Sequence, residues 1–235
     1  MTPELPILHR GRSLQLRRTA PQDAPFLWRQ MYQNADFMRL FRLNDRVESE
    51  QQLANRLAQR FSVPPAKSGY LELLMLHQQH GPIGVVALAD HAPLHRRAEL
   101  LIGIFEGAYR FHSYGLEGCL LAGDLAFNQY NLHRLYAYSY QYNHPAQKAL
   151  EAGGLSLEGV MQEHVFDQAS QQFVNLHLYG ITLPQFRQNQ RLAKLAQRLV
   201  GRDITQPPPR LPAKQKATAP ERPVFVRSGA VRLKT

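Results

Sequence analysis

The sequence predicts an α/β fold built around a single mixed sheet flanked by helices, followed by a basic C-terminal helix and a Pro-rich tail. Three observations carry that reading. Short segments of period-two hydrophobicity alternate with segments of helical periodicity through residue 183. Apolar residues make up 44% of 235 residues, enough to bury one core of ordinary domain size. Charge is unevenly spread: of 28 Lys and Arg, 12 fall between Pro184 and Thr235 with only 2 of the 18 acidic residues, so the rest of the chain carries equal numbers of each sign. The net charge of +10 therefore belongs to the C-terminal segment. The expected division is a domain over 1–185 and a basic extension over 186–235.

The elements follow in order. "SLQLRRTA" (13–20) alternates and stops at "PQDAP", a strand leading into a helix start with Phe26, Leu27, Met31 and Tyr32 on it. "VESEQQLANRLAQRF" (47–61) places Leu53, Leu57 and Phe61 four apart, the spacing of one helix face. "GYLELLML" (69–76), "PIGVVALAD" (82–90) and "RAELLIGIF" (97–105) read as strands, the first two joined through "HQQHG" as a hairpin. A helix over 114–127 shows Leu116, Leu120, Gly123 and Phe127, and "HRLYAYSY" (133–140) is a Tyr-rich strand. "NHPAQKALEAGG" (143–154) has a helix-capping Asn, a first-turn Pro and terminal glycines. "EGVMQEHVF" (158–166) and "QFVNLHLYGITL" (172–183) pair as a closing hairpin. In "FRQNQRLAKLAQRLVG" (186–201), Arg187, Arg191, Lys194 and Arg198 form a basic stripe beside Leu192, Leu195 and Leu199. Those leucines dock on the body, or the cations meet a polyanion. "QPPPRLPAKQKATAPERP" (206–223) is too proline-rich to pack alone, and "VFVRSGAVRLKT" alternates enough to add to a sheet edge.

One cysteine, Cys119, excludes an intrachain disulfide framework, and with an N-terminus lacking a signal-peptide core it favours a reducing, cytoplasmic setting. No apolar run reaches membrane-spanning length, and the histidines have no metal-ligand spacing, so no metal is expected.

The chemistry concentrates at "YRFHSYGLEGCLLAGDLAF" (109–127), where a basic residue and two small residues run into a helix. A helix start offers unpaired N–H groups and a positive dipole end, which together bind anions. This block, with "HRRAELLIGI" (95–104), "AFNQYNLHRLYAY" (126–138), "NHPAQKALEAGGL" (143–155) and "LEG" (157–159), resembles the GNAT acetyltransferase superfamily. Within it, the similarity is to the branch of ribosomal-protein N-terminal acetyltransferases and spermidine acetyltransferases. The resemblance implies acetyl-CoA as co-substrate, with its pyrophosphate on Arg110, Phe111, His112, Ser113, Tyr114 and Gly115. Ser113 stands where glycine is usual, and a positive φ there would be strained. The strands 97–105 and 133–140 are expected to splay around the pantetheine arm, touching Gly103, Ile104 and Asn143. A bulge at Gly103 would free an N–H for the thioester carbonyl.

Amide formation needs a base for the amine proton. Glu99, alternating with Leu101 and Gly103, is the first candidate; its other reading is an ion pair with Arg96 or Arg97. Glu163 and His164 stand behind it. The resemblance places Leu150 and Ala146 where relatives carry a hydroxyl for the leaving thiolate, so Tyr140 and Tyr142 are the substitutes, with packing as their alternative role. Cys119 reads as a buried structural thiol. The expected function is an N-acetyltransferase acting on a protein N-terminus, ahead of an amino sugar or a polyamine. Arg39, Arg42 and Arg46 among Asp45 and Glu48 argue against a polycation. A catalytically weak GNAT fold that binds RNA or a partner is the rival. Further partners are RNA or the ribosome through the basic tail, and a second copy of the chain as a homodimer.

Overall fold

The computed structural model describes residues 5–207, apart from 44, 45 and 111. The terminal alternating segment and nearly all of the Pro-rich stretch lie outside the described residues. The chain runs β1 (Ile7–Arg10), β2 (Leu14–Arg18), α1 (Ala24–Leu27) with a π-helical turn to Tyr32, α2 (Ala35–Leu40), α3 (Glu50–Ser62), β3 (Leu71–His77), β4 (Gly81–Ala92) and β5 (Arg97–Ile104). It continues through α4 (Gly107–Arg110), α5 (Tyr114–Asp124), β6 (Arg134–Tyr140), α6 (His144–Ala152), β7 (Ser156–Asp167), β8 (Gln172–Thr182), α7 (Leu183–Gln188) and α8 (Gln190–Leu199).

The eight strands make one sheet in the order β1-β2-β3-β4-β5-β6-β8-β7. Every junction is antiparallel except β5–β6, which is parallel. The sheet is buried on both faces. Helices α5 to α8 cover Leu14, Leu73, Met75 and Leu100 on one side. Helices α1 to α3 cover Leu74, Val85 and Leu101 on the other. Two-sided burial explains why β3 reads as a nearly unbroken apolar run, "LELLML".

Local chemistry sets the helix starts. Asn34, Ser49, Asn143 and Asn189 each accept a backbone N–H through the side chain at a helix N-cap. β1 was not expected from the sequence: its four residues are too few for a periodic signal, and pairing with β2 is what makes it a strand.

The first part of the C-terminal segment packs on the body. Leu192, Ala196, Val200 and Ile204 all enter the core that α5 and α6 share. The expected four-cation stripe is corrected here. Asn189 ends α7 and caps α8, so Arg187 sits on a separate helix. It turns inward and donates to Thr205 O at 2.7 Å and Asn128 Oδ1 at 2.6 Å. Arg191, Lys194 and Arg198 remain as an exposed row on α8.

Two buried carboxylates fix α5. Asp124 is fully buried and takes contacts from His9 Nε2 (2.7 Å), Asn128 Nδ2 (2.5 Å) and Arg202, tying both ends of the described chain to one helix. Glu117 accepts from Ser13 N at 2.8 Å and Leu14 N at 3.0 Å, which locks the first turn of α5 to the start of β2. Replacing Glu117 by Ala leaves both N–H groups without their acceptor. The expected cost is about 2–4 kcal/mol, or a Tm lower by roughly 5–10 °C for a chain of this size. A thermal melt showing a fall below about 2 °C would refute this role.

Candidate active site

The site is a consequence of how β5 and β6 part. They pair only through Arg97↔Arg134, Ala98↔Leu135 and Glu99↔Tyr136. Beyond Glu99 the strands diverge. Phe105 N donates to Ile83 O at 3.0 Å, so alternation along β5 turns the backbone of Leu100, Ile102 and Ile104 away from β4 and toward the gap. Gln141 N donates to Asn175 O at 3.1 Å, and the same alternation turns the backbone of Tyr138 and Tyr140 toward the gap from the other side. Two strand edges therefore face each other with no strand between them among the described residues.

The gap encloses about 50 Å³ and is lined by Leu100, Ile102, Cys119, Tyr138, Asn143 and Leu150, with Arg42 closing it from the end of α2. Asn143 serves twice: its Oδ1 accepts from Ala146 N at 3.3 Å while the side chain borders the gap. Leu150 and Ala146 give that wall an apolar surface. Cys119 is buried, and burial pushes its thiol up to about 12, which leaves it protonated and inert.

The expected bulge at Gly103 is absent. The β4–β5 register is unbroken from Gly84↔Ile104 to Ala89↔Glu99, and its shift lies between Ala89 and Ala92. Gly103 has a different reason to be glycine: a Cβ there would run into the rings of Phe37 and Phe41 from the α2 segment. Its N–H points to β4, and the N–H of Leu100 is taken by the last rung of the β5–β6 ladder, so the donors that face the gap without a strand partner among the described residues are those of Ile102 and Ile104. Divergence of β6 exposes them without a bulge.

At the mouth of the gap, α5 begins at Tyr114 with Ser113 as N-cap. Ser113 has φ −72°, so the feared strain does not arise, and its side chain makes no capping bond. Among the described residues nothing accepts from the first-turn N–H groups, which suits an external acceptor. A Cβ built on Gly115 would find no atom nearer than 4.0 Å, which leaves the approach to those N–H groups open. His112 stacks on Tyr114 with ring centroids 5.1 Å apart. Arg110 is exposed on α4 and reaches Ile104 O only at 3.5 Å. Phe111 lies outside the described residues. Two backbone edges, a bare helix start and a small residue beside it fit an extended thioester arm ending in a pyrophosphate.

Glu99 is 3% exposed on the α2 side of β5. Its partner is neither Arg96 nor Arg97 but Arg42, whose Nη2 meets both carboxylate oxygens at 2.5 Å. Burial raises the Glu99 pKa above the ordinary carboxylate range, and Arg42 opposes that rise. The Arg42 guanidinium also lies 5.0 Å from the Tyr138 ring centre. Beside Glu99, Tyr136 donates to Asp90, and Arg97 donates to the Tyr136 hydroxyl at 2.9 Å. Burial, then the Asp90 hydrogen bond, lifts the Tyr136 phenol out of the usual tyrosine range. A cavity of about 230 Å³ adjoins Glu99, lined also by Arg42, Arg56, Arg60, Tyr70 and Asp90.

The other expected residues are spread. Tyr140, at the end of β6, stacks on Tyr142 at 5.3 Å, and burial raises its pKa. Glu163 and His164 are exposed on β7, with β8 between them and β6. Glu163 has φ +47° in the β7–β8 bulge, its N–H bonded to Asn175 Oδ1 at 2.9 Å. The structure does not bring this pair to Glu99. Sequence reasoning used Arg42 only as a sign of substrate charge, missing it as the partner of Glu99, and missed Tyr138. The period-two tyrosines at 136, 138 and 140 were the available signal, since they share the Glu99 face.

Comparison with known proteins agrees with this geometry. The model of the acetyltransferase (GNAT) domain matches residues 13–156. No curated protein matches the sequence. Among solved structures, the chain is similar to spermidine N-acetyltransferase from Vibrio cholerae in complex with CoA and spermine, at TM-score 0.64 and 22% identity over 72% of this chain and 95% of that one. It is also similar to a Thermus thermophilus protein named as an acetyltransferase, at TM-score 0.64 and 20% identity over 84% and 99% of the two chains. The chain belongs to the GNAT acetyltransferase family: it is an acyltransferase that takes its acetyl group from acetyl-CoA and delivers it to an amine.

Proposed function

We propose that the acceptor is the amino terminus of a protein or peptide, and that Glu99 takes its proton. The observation that carries this is the charge of the 230 Å³ cavity beside Glu99: among the described residues it presents Arg42, Arg56 and Arg60 against Asp90 and Glu99. A wall with more cations than carboxylates repels a polycation. It suits one amine on a neutral or acidic chain, whose carbonyls and carboxylates the guanidinium groups can hold.

Bound acetyl-CoA supplies an acetyl group activated as a thioester. The residues of this chain do the rest. N–H groups of Ile102 and Ile104 face the gap and hold developing negative charge on a carbonyl oxygen. The Glu99 carboxylate, made a stronger base by burial, receives the amine proton directly or through one water. Arg42 keeps it ionised and aimed until the amine arrives. Burial holds the Tyr140 hydroxyl above the usual tyrosine range, so its Oη keeps a proton at neutral pH and has one to donate.

A polyamine is the second reading, favoured by the likeness to a spermidine N-acetyltransferase. Competing the two acceptors decides it. A short peptide with a free, acidic-flanked amino terminus should exceed spermidine in kcat/KM by at least tenfold; the reverse ranking gives the site to polyamines.

Glu99→Gln should lower kcat/KM by ~10²–10³ while acetyl-CoA affinity changes less than twofold. A loss under threefold moves the base elsewhere. In the parent protein, activity should rise with pH as Glu99 loses its proton, on an acid limb above the ordinary carboxylate range. Arg42 favours the charged form, so Arg42→Gln should move that limb to higher pH. A limb that stays put or moves down in the pH–rate profile would separate Arg42 from the base.

A further inference from the structure

A second cleft lies outside the gap. It has a volume of about 430 Å³ and is lined by Leu116 of α5, Ala152 of α6, and Arg191, Lys194, Leu195 and Arg198 of α8. Leu116 is the third residue of α5, so the cleft opens within one turn of the bare N–H groups that suit a pyrophosphate. The three cations are exposed, lie on one face of α8, and have no hydrogen-bond or ion-pair partner among the described residues. Most surface cations adapt freely, but this helix is held in place. Leu192, Ala196 and Val200 are buried in the core, Asn189 caps its start, and Arg12 N donates to Leu199 O at 3.2 Å near its end. The cleft is thus a fixed pocket, apolar on its floor and cationic on one wall, beside a phosphate site.

We infer that this cleft receives the adenosine end of the coenzyme, with Arg191, Lys194 and Arg198 gripping the ribose 3′-phosphate. The inference rests on the acetyl-CoA reading and adds a specificity to it. Leu116, Ala152 and Leu195 offer an apolar seat for the adenine ring, while a phosphate dianion matches three unpaired cations through charge-assisted hydrogen bonds. Helix α8 follows the residues that the family model covers. This recognition therefore comes from a helix beyond the matched domain, and it selects 3′-phosphorylated coenzyme over dephospho-coenzyme A. A cleft of this size admits one nucleotide end, whereas a nucleic acid strand would need a continuous groove.

Isothermal titration of the full chain with acetyl-CoA and with acetyl-dephospho-CoA tests this. The dephospho form should bind at least tenfold more weakly, and the difference should shrink as salt rises. Lys194→Ala and the Arg191→Ala/Arg198→Ala double variant should weaken acetyl-CoA binding while leaving the dephospho form almost unchanged. These side chains are exposed, so thermal melts should match the parent. Adenosine 3′,5′-bisphosphate should compete with acetyl-CoA in the parent and lose that ability in the variants. Equal binding of the two coenzymes overturns this inference and leaves the acetyltransferase reading standing. Binding of neither at millimolar concentration removes the acetyl-CoA reading itself. Salt-sensitive RNA binding lost in the variants, with no coenzyme discrimination, assigns the row to a nucleic acid instead.

Discussion

Everything functional in this molecule depends on one interruption: β5 and β6 pair for three residues and then separate. A parallel ladder that continued would satisfy the backbone of Ile102, Ile104 and Tyr138 internally and leave nothing for a ligand. By stopping at Glu99↔Tyr136, the sheet presents two unsatisfied edges indoors, where water is scarce and hydrogen bonds are strong. The helices that follow these strands inherit the geometry. Helix α5 starts at the open end of β5 and α6 starts at the open end of β6, so a bare helix start and Asn143 both come to the gap.

Such a gap weakens the sheet at its centre, and the surroundings offset it. Glu117 and Asp124 anchor α5 to β2, to the N-terminal strand and to the C-terminal segment through buried, hydrogen-bonded carboxylates. On the opposite face, Phe37 and Phe41 press into the space left by Gly103. Arg42 follows at once and meets Glu99, so the helix that seals one end of the gap also controls the site's charge. A buried pair of this kind is costly to desolvate and does not by itself argue for stability. Its value here is positional: it keeps the Glu99 carboxylate on the strand beside the gap.

The sequence carried much of this. Element order was legible because period-two and helical segments are cleanly separated, and Asn143 and Pro145 mark α6 unambiguously. The family was legible in five blocks along the chain. The loop into α5 was legible because an anion site needs only local backbone geometry. Reasoning failed where a residue's reason lies in distant atoms. Gly103 suggested a bulge, yet its reason is Phe37, more than sixty positions away. For the alternative ion pair of Glu99 the sequence offered the local Arg96 and Arg97, yet the partner arrives from the segment after α2. Arg187 matched its neighbours in spacing, but one capping Asn at 189 broke the stripe.

By itself, the sequence determined the alternation of strand and helix, the helix caps, the apolar faces and a helix start of the kind that suits an anion, because all of these arise from interactions within a few residues. Only the tertiary structure decided that β6 leaves β5 after three pairs, that Arg42 rather than Arg96 or Arg97 holds Glu99, and that α8 folds back to set three cations beside the start of α5. Those outcomes follow from which surfaces bury one another across the chain, and no local pattern encodes the distance between a residue at 42 and one at 99 or between 116 and 194.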